Sequence, residues 1–309
     1  MNGYPNEVVT SLNDLMRFEY LVQQGNILPK RPIYSILAGQ HPAKMRGRGL
    51  DFEEVRLYVP GDDVRNIDWK VTARTNETHS KVFNEEKERP TFVLLDQSAM
   101  MFFGSQRYVK SVTAAHVAAI VAFHTIKRGD RFGGIIFNED SYDYVEPKRS
   151  KALVEHFFQM TVERNKVLPL RKTVKSDTGL INEMLHRMQS LITHDYVIAI
   201  ISNILMLNQD SQHLLRSLSY HNDVIFVHIE DPMDKLLPHG KLVLTDGDKQ
   251  IEWDSNKNNW GDKYSAGYNL QLDSMIENFR YYGIPVSIIN TKAPVEEQVK
   301  DKIGGRLRK

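Results

Sequence analysis

The chain has 309 residues, and its 40 Lys and Arg residues nearly balance 39 Asp and Glu residues, for a formal charge of +1. This length predicts about two domains. The balanced charge argues against bulk nucleic-acid binding, which needs a basic footprint, and against a polybasic membrane-surface role. The absence of cysteine excludes a disulfide framework, a thiol nucleophile and any thiolate metal site.

The apolar runs of the chain are short. Residues 112–123 and 196–201 are the most apolar stretches, and both fall well below the roughly 18–20 residues needed to cross a bilayer. The first residues show neither the basic region nor the apolar core of a secretory signal. We therefore expect a cytoplasmic protein without a membrane span.

The composition and periodicity of the sequence change near Pro90. A helical leader at residues 12–24 is followed by a polar region rich in turn residues, and from residue 91 short β-type runs alternate with helical periodicity. This alternation is typical of a doubly wound α/β domain with a mainly parallel sheet. Six strands are predicted, with the short one at 141–145 antiparallel at an edge, and a hairpin is predicted about Asp246-Gly247. The predicted strands lie at residues 91–95, 132–137, 141–145, 196–201, 224–229 and 286–290.

These patterns divide the chain into three parts. Residues 1–89 are an N-terminal extended or β region, residues 90–292 are the α/β domain, and residues 293–309 are a C-terminal tail. The N-terminal region has few long apolar runs, so we expect it to pack on the α/β domain instead of folding alone.

A candidate site follows the first predicted strand. Asp96 and Ser98 lie at its carboxyl end, which is where open α/β sheets bind ligands. A carboxylate and a hydroxyl are oxygen ligands suited to Mg²⁺ or Mn²⁺, although Asp and Ser are also common in ordinary turns.

Four segments resemble, in type and order, the landmarks of von Willebrand factor A domains: residues 96–100, 129–133, 177–179 and 202–203. Those domains hold a divalent cation at a metal-ion-dependent adhesion site, so the resemblance implies ligand roles for Asp96, Ser98 and Thr178. Met100 replaces a second serine of the motif, and Asn203 stands where an aspartate is expected. A thioether is too soft a ligand for Mg²⁺, and a carboxylate is lost. The resemblance therefore implies a degenerate site, either vestigial or binding Mg²⁺ or Mn²⁺ weakly.

The segment at residues 47–69 carries a second motif, Gly-Asp-Asp-x-Arg-x-Ile-Asp-Trp, which begins at Gly61. It closely resembles the signature of domain-of-unknown-function family 58, in which this signature precedes a von Willebrand factor A-like domain. The resemblance extends over about residues 47–203. It implies a von Willebrand factor A-like fold for the second part of the chain.

The signature residues can also be interpreted from their own chemistry, without the family resemblance. Pro60-Gly61 fits a type II turn, and either Asp62 or Asp63 can cap a short helical turn. One interpretation is an ion-paired clasp that joins the N-terminal region to the sheet domain, with Tyr58 and Trp69 supplying packing area. The other is that Asp62 and Asp63 chelate a metal for hydrolysis. The structural signature consists of Asp62, Asp63, Arg65, Asp68 and Trp69, with Arg48, Arg56 and Arg74 as further possible partners of the carboxylates.

Large apolar residues follow the Asp96 turn in one run, Met100, Met101, Phe102 and Phe103. Neighbours on a helix point about 100° apart, so a helix can bury only part of such a run. We expect at least one of the four side chains to be accessible and to contact a protein partner, and we place the partner surface at Met100, Met101 and Phe102.

Two functions follow from these features. Proteins resembling this family are commonly encoded beside MoxR-type AAA+ ATPases, which implies a non-enzymatic adaptor that works with such an ATPase in maturing or remodelling protein complexes. The alternative is a metal-dependent hydrolase that uses Asp96 with Asp62 or Asp63. The alternative lacks an identifiable nucleophile or general base.

Overall fold

The computed structural model describes residues 4–24, 49–86, 89–171, 178–236, 240–245, 250–254 and 260–304. The chain divides into two compact units, and the leader segment belongs with the second part of the sequence. Unit 1 comprises Met1–His41 and Pro90–Lys309, and unit 2 comprises Pro42–Arg89.

The strands form three sheets, two of which are antiparallel pairs. They are β1 (Gly49–Leu57), β2 (His79–Glu86), β3 (Thr91–Asp96), β4 (Phe132–Phe137), β5 (Tyr142–Lys148), β6 (Val197–Ser202), β7 (Asp223–Glu230), β8 (Lys241–Thr245), β9 (Gln250–Asp254) and β10 (Val286–Asn290).

The helices are α1 (Leu12–Gln23), α2 (Trp69–Thr75), α3 (Lys110–Lys127), α4 (Lys151–Val167), α5 (Thr178–Leu191), α6 (Gln209–Ser219), α7 (Pro232–Lys235), α8 (Trp260–Tyr281) and α9 (Val295–Gly304). Among the described residues, none of these helices is long and apolar enough to cross a membrane. The cytoplasmic location stays a prediction.

Unit 1 is built on a six-stranded sheet with the order β10-β7-β6-β3-β4-β5. The neighbours of β3 on both sides, β4 and β6, run parallel to it, and β5 is antiparallel to β4 at the edge. The predicted fold class is therefore confirmed. The predicted hairpin is formed by β8 and β9, although its turn at Asp246-Gly247 lies outside the described residues.

The sheet is covered on both faces, and β3, β4 and β6 are buried at every position. Such strands read as continuous apolar runs because neither face meets water. One face packs against α5, α6 and α8 in a single apolar cluster. The other face packs against α3 and α4, where the ring of Phe157 stands edge-on to Phe132 with centroids 5.2 Å apart.

Helix α3 is buried on all sides, from Lys110 to Thr125. The three-to-four spacing of apolar residues between 109 and 126 predicts an apolar stripe on one face of a helix of about 23 residues. The helix is shorter because residues 99–101 form a separate 3-10 turn and residues 102–109 are irregular. It is buried all round because α1 packs on its outer side, with Phe18 centred 5.0 Å from the ring of His116.

Two helices extend beyond the predicted limits. The sequence predicts the last helix of the α/β domain near residues 272–282, whereas α8 begins at Trp260. The predicted start is late because the buried stripe begins only at Tyr268 and the polar turns before it give no periodic signal. In the predicted tail, Val295 and Val299 are buried one helical turn apart and hold α9 against the rest of unit 1.

Removal of a buried leader side chain tests whether α1 is an integral part of unit 1. Phe18 is fully buried, so Phe18→Ala is expected to lower the free energy of unfolding by about 3–5 kcal/mol. Tyr20→Ala on the same helix is the control, because Tyr20 is 64% exposed. Denaturant unfolding of both variants measures the difference, and equal stabilities would contradict the packing of α1 as a core helix.

Candidate functional site

The candidate site lies at the carboxyl edge of the sheet. The chain leaves β3 for β4 on one side and later returns to β6 on the other side. Such a topological switch point opens a crevice at the carboxyl ends of the strands, which is where ligands bind in open α/β sheets. Asp96 ends β3 and Ser202 ends β6, so both side chains lie at this crevice.

The carboxylate of Asp96 is buried, and each of its two oxygens accepts a hydrogen bond. Its Oδ1 accepts the backbone N–H of Ser98 at 2.8 Å, and its Oδ2 accepts the hydroxyl of Ser202 at 2.5 Å. Burial raises the pKa of Asp96 above its ordinary value despite these hydrogen bonds, and the nearby negative charge of Glu139 acts in the same direction. The folded protein therefore favours the protonated form of this carboxyl group.

A second carboxylate, Glu139, comes from the turn after β4. Its Oε1 accepts the backbone N–H of Ala99 at 2.7 Å, and its Oε2 lies 3.2 Å from Nη1 of Arg171. Arg171 also forms an ion pair with Asp140. Glu139 therefore ties the turn after β3 to the turn after β4 and carries a compensating cation of its own.

These groups lie in a small, open cleft. Apolar side chains make up most of its wall, and two carboxylates and one hydroxyl lie among them. The lining residues are Asp96, Ser98, Met100, Phe137, Glu139, Leu180, Ile181 and Met206.

The structure brings together only part of the predicted ligand set. Asp96, Ser98 and Met100 all line the cleft. Asn203 does not, since its Oδ1 accepts the backbone N–H of Leu205 at 3.0 Å and caps the short turn Ile204–Met206. Thr178 begins α5, and its side chain lies outside the described residues.

The donors present fit a hard dication poorly. The two oxygens of Asp96 already accept hydrogen bonds, the thioether of Met100 is too soft, and the amide oxygen of Asn203 is used within its own turn. Within the described ranges, no group of three or more His, Asp or Glu residues is placed to hold a metal ion.

Two residues of the site escaped sequence reasoning, Ser202 and Glu139. Ser202 directly follows the predicted strand at 196–201, which pairs with β3, and the order of the strands was needed to place it beside Asp96. Glu139 lies in a segment predicted only as a turn, and nothing in its spacing marks it as a neighbour of Ala99.

The signature carboxylates find their partners within unit 2. Asp62 accepts from Nη2 of Arg56 at 2.8 Å and from the backbone N–H of Val59 at 3.0 Å, and the backbone hydrogen bond is the main cause that lowers its pKa. Gly61 has a φ of 111°, and the carbonyl of Val59 accepts the N–H of Asp62, as a type II turn requires. Asp62 therefore stabilises the predicted turn.

The other two signature carboxylates also act locally. Asp63 caps the turn at residues 64–66, and the side chain of Arg65 is the main cause that lowers its pKa. Asp68 caps α2 through the N–H groups of Lys70 and Val71, and the bond from Val71 contributes most to its lowered pKa. Trp69, for which packing was predicted, is 69% exposed because it occupies the first position of this short helix.

The apolar run after Asp96 divides into buried and accessible residues. Met101 is fully buried, because the N–H of Met101 bonds to the carbonyl of Ser98 and the 3-10 turn directs the side chain inward. Its predicted place on a partner surface is thus corrected. Phe102 is half-buried against the cluster of Tyr108, Val109 and Val112. Met100 is half-buried at the cleft and Phe103 is 41% exposed.

The raised pKa of Asp96 predicts that Asp96→Asn stabilises the protein at neutral pH. The pKa of Asp96 is near the ordinary value of 3.8 in the unfolded chain and higher in the folded protein, so the stability cost is complete above the folded pKa and disappears below 3.8. We expect a higher melting temperature for Asp96→Asn than for wild type at pH 7, because the variant carries no buried charge.

Thermal melts from pH 7 down to pH 4 measure this effect. The difference from wild type should shrink as the pH falls. Asp273→Asn, at an exposed position of α8, is the control and should show no such trend. A lower melting temperature for Asp96→Asn at pH 7 would contradict the assigned electrostatics.

The donor set predicts Mg²⁺ binding no tighter than high micromolar, on the order of −5 to −6 kcal/mol, by calorimetry. The double variant Met100→Ser, Asn203→Asp adds a hydroxyl at the cleft and a carboxylate in the turn after β6, and it should bind more tightly. The matched control Met100→Ala, Asn203→Ala removes the same side chains without adding a ligand. Nanomolar binding by the wild-type protein would refute this prediction.

Relatives of the chain carry no assigned activity. Uncharacterized proteins Mb1516 of Mycobacterium bovis and Rv1480 of Mycobacterium tuberculosis are each 29% identical over 228 residues, which is 72% of this chain and 68% of theirs. The crystal structure of the conserved hypothetical protein BatB from Bacteroides thetaiotaomicron is similar over 72% of this chain and 100% of that chain, with a TM-score of 0.42 and 10% identity.

The family is shown by a match over most of the chain. The model of the family described as "Protein of unknown function DUF58" matches residues 54–271, a region that contains both the Gly-Asp-Asp-x-Arg signature and the cleft at Asp96. This protein belongs to the DUF58 family.

Proposed function

We propose that this protein is a non-enzymatic adaptor that binds a protein partner through the turn at residues 98–103 and the cleft beside it. The proposal is supported by the accessibility of Phe103, which is 41% exposed at the end of this turn, and by Met100, which is half-buried at the cleft. Exposed aromatic side chains and flexible methionines are common where proteins dock.

The backbone around Phe103 is held in place, which favours binding. The carbonyl of Phe103 accepts the N–H of Lys110 at 2.8 Å. Further along the loop, the buried carboxylate of Asp231 accepts both the N–H and the hydroxyl of Ser105, at 2.9 and 2.5 Å. A loop that is already ordered loses little conformational entropy on association.

The proposal includes a von Willebrand factor A-like domain whose adhesion site is degenerate, so that docking proceeds without a bridging cation. Two observations support a degenerate site: Asp96 and Ser98 lie at the switch point, and Met100 and Asn203 fit a dication poorly. We propose a MoxR-type AAA+ ATPase as the partner, on the resemblance of the signature segment, and a cytoplasmic site of action.

The hydrolase alternative gains no support from the described geometry. Asp62 and Asp63 are engaged by arginines and backbone N–H groups of their own unit, and their lowered pKa values match the needs of structural carboxylates.

Shortening the accessible side chains tests the docking turn. The double variant Met100→Ala, Phe103→Ala should reduce affinity for the MoxR-type ATPase of the same genome by about tenfold or more, since central interface residues each cost more than about 1 kcal/mol on truncation. Biolayer interferometry with the purified ATPase measures the change.

The control is Leu270→Ala, because Leu270 is 74% exposed on α8 and lies outside the proposed surface. Both variants should melt within a few degrees of wild type. Unchanged affinity of the double variant, or an equal loss in the control, would rule out the turn as the docking surface.

A further inference from the structure

The residue between the two motif positions, Gln97, faces away from the cleft into the protein. It is fully buried, and its Nε2 donates to the carbonyl of Ser111 on α3 at 2.9 Å and to the carbonyl of Asp96 at 3.2 Å. Its Oε1 accepts from Nδ2 of Asn165 on α4 at 2.9 Å. Both ends of the Gln97 amide are therefore satisfied, and they fix the backbone from which Asp96 and Ser98 project.

Asn165 continues this connection to the leader segment. Its side chain is fully buried, and its Oδ1 accepts the backbone N–H of Thr10 at 2.9 Å. Its Nδ2 donates to the hydroxyl of Ser111 at 3.1 Å as well as to Gln97. One amide thus joins the residue before the cap of α1 to the turn at the candidate site.

The leader segment is itself anchored by a buried pair. Asp14 on α1 accepts from Nε2 of His116 on α3 at 2.6 Å, and the hydroxyl of Thr10 also bonds to Asp14, at 3.2 Å. His116 is 1% exposed. At the other end of α1, Lys127 donates to the carbonyls of Val22 and Gln23, at 2.7 and 3.2 Å.

We propose that the leader segment, residues 4–24, positions the docking turn through the chain Thr10–Asn165–Gln97. The proposal rests on the proposed function, in which this turn binds the partner, and it makes Gln97 and Asn165 positioning residues. Hydrogen bonds among buried groups are strong and costly to leave unmade. When the leader lifts from α3, Oδ1 of Asn165 loses the N–H of Thr10 that it accepts, and the Asn165 amide no longer holds Gln97 in one orientation.

Amide hydrogen exchange in the free protein tests this connection without any partner. Three amides report on the turn: Ser98 bonded to Asp96, Ala99 bonded to Glu139, and Met101 bonded to the carbonyl of Ser98. Ile200, in the fully buried strand β6, reports on global opening. Exchange of the turn amides relative to Ile200 separates a positioning role from general destabilisation.

The variants form a matched pair at His116. His116→Leu removes the donor to Asp14 and should speed exchange of the turn amides about five- to tenfold relative to Ile200, the factor expected for about one net hydrogen bond. His116→Gln keeps an N–H donor and should stay within about twofold of wild type. Asp14→Asn is the milder variant should His116→Leu not fold, with a smaller change in the same direction.

Gln97→Met is the test at the other end of the chain. It preserves the approximate volume, removes the amide, and should speed the turn amides on its own. Adding His116→Leu to Gln97→Met should then produce no further change at the turn. Faster exchange at Phe18 with an unchanged turn would overturn the proposal, and so would equal acceleration of the turn and Ile200. Either result leaves the docking surface itself untested by this experiment and open to the affinity measurement.

Discussion

The full burial of α3 is the constraint on which the rest of unit 1 depends. A helix enclosed by the sheet on one side and α1 on the other offers no water to its polar side chains, so each needs a partner inside the protein. His116 finds Asp14, and Ser111 finds Asn165. Lys110 finds Asp234 at 2.7 Å in the short helix after β7. These partners fix the leader segment, α4 and the loop after β7 around one helix.

At the end of β3, the candidate site also shows that a buried polar group needs a partner inside the protein. Asp96 is buried, and its two oxygens accept the hydroxyl of Ser202 and the N–H of Ser98. A carboxylate kept in such a place at a cost in stability is typical of functional residues. The apolar wall of the cleft, with Met100 and Met206, then offers contact area to a protein surface.

Much of the fold could be predicted from local pattern, because β3, β4 and β6 are continuous apolar runs ended by polar turn residues. The pattern could not show that α3 is buried on its outer side. That burial depends on α1, which precedes the region of alternating strands and helices in the sequence. The site was predictable as far as Asp96 and Ser98, which adjoin one strand. Ser202 and Gln97 act through contacts distant in sequence, and the inward turn of Met101 depends on a single 3-10 hydrogen bond.

Site-specific photo-crosslinking tests the central claim, that the turn after Asp96 contacts the partner. A benzophenone side chain placed at Phe103, and separately at Leu270 as the exposed control, would be irradiated in the presence of the purified MoxR-type ATPase. We expect a covalent adduct with the ATPase from position 103 and none from position 270. Adducts from position 270 alone, or from neither position while the two proteins still bind each other, would contradict the claim.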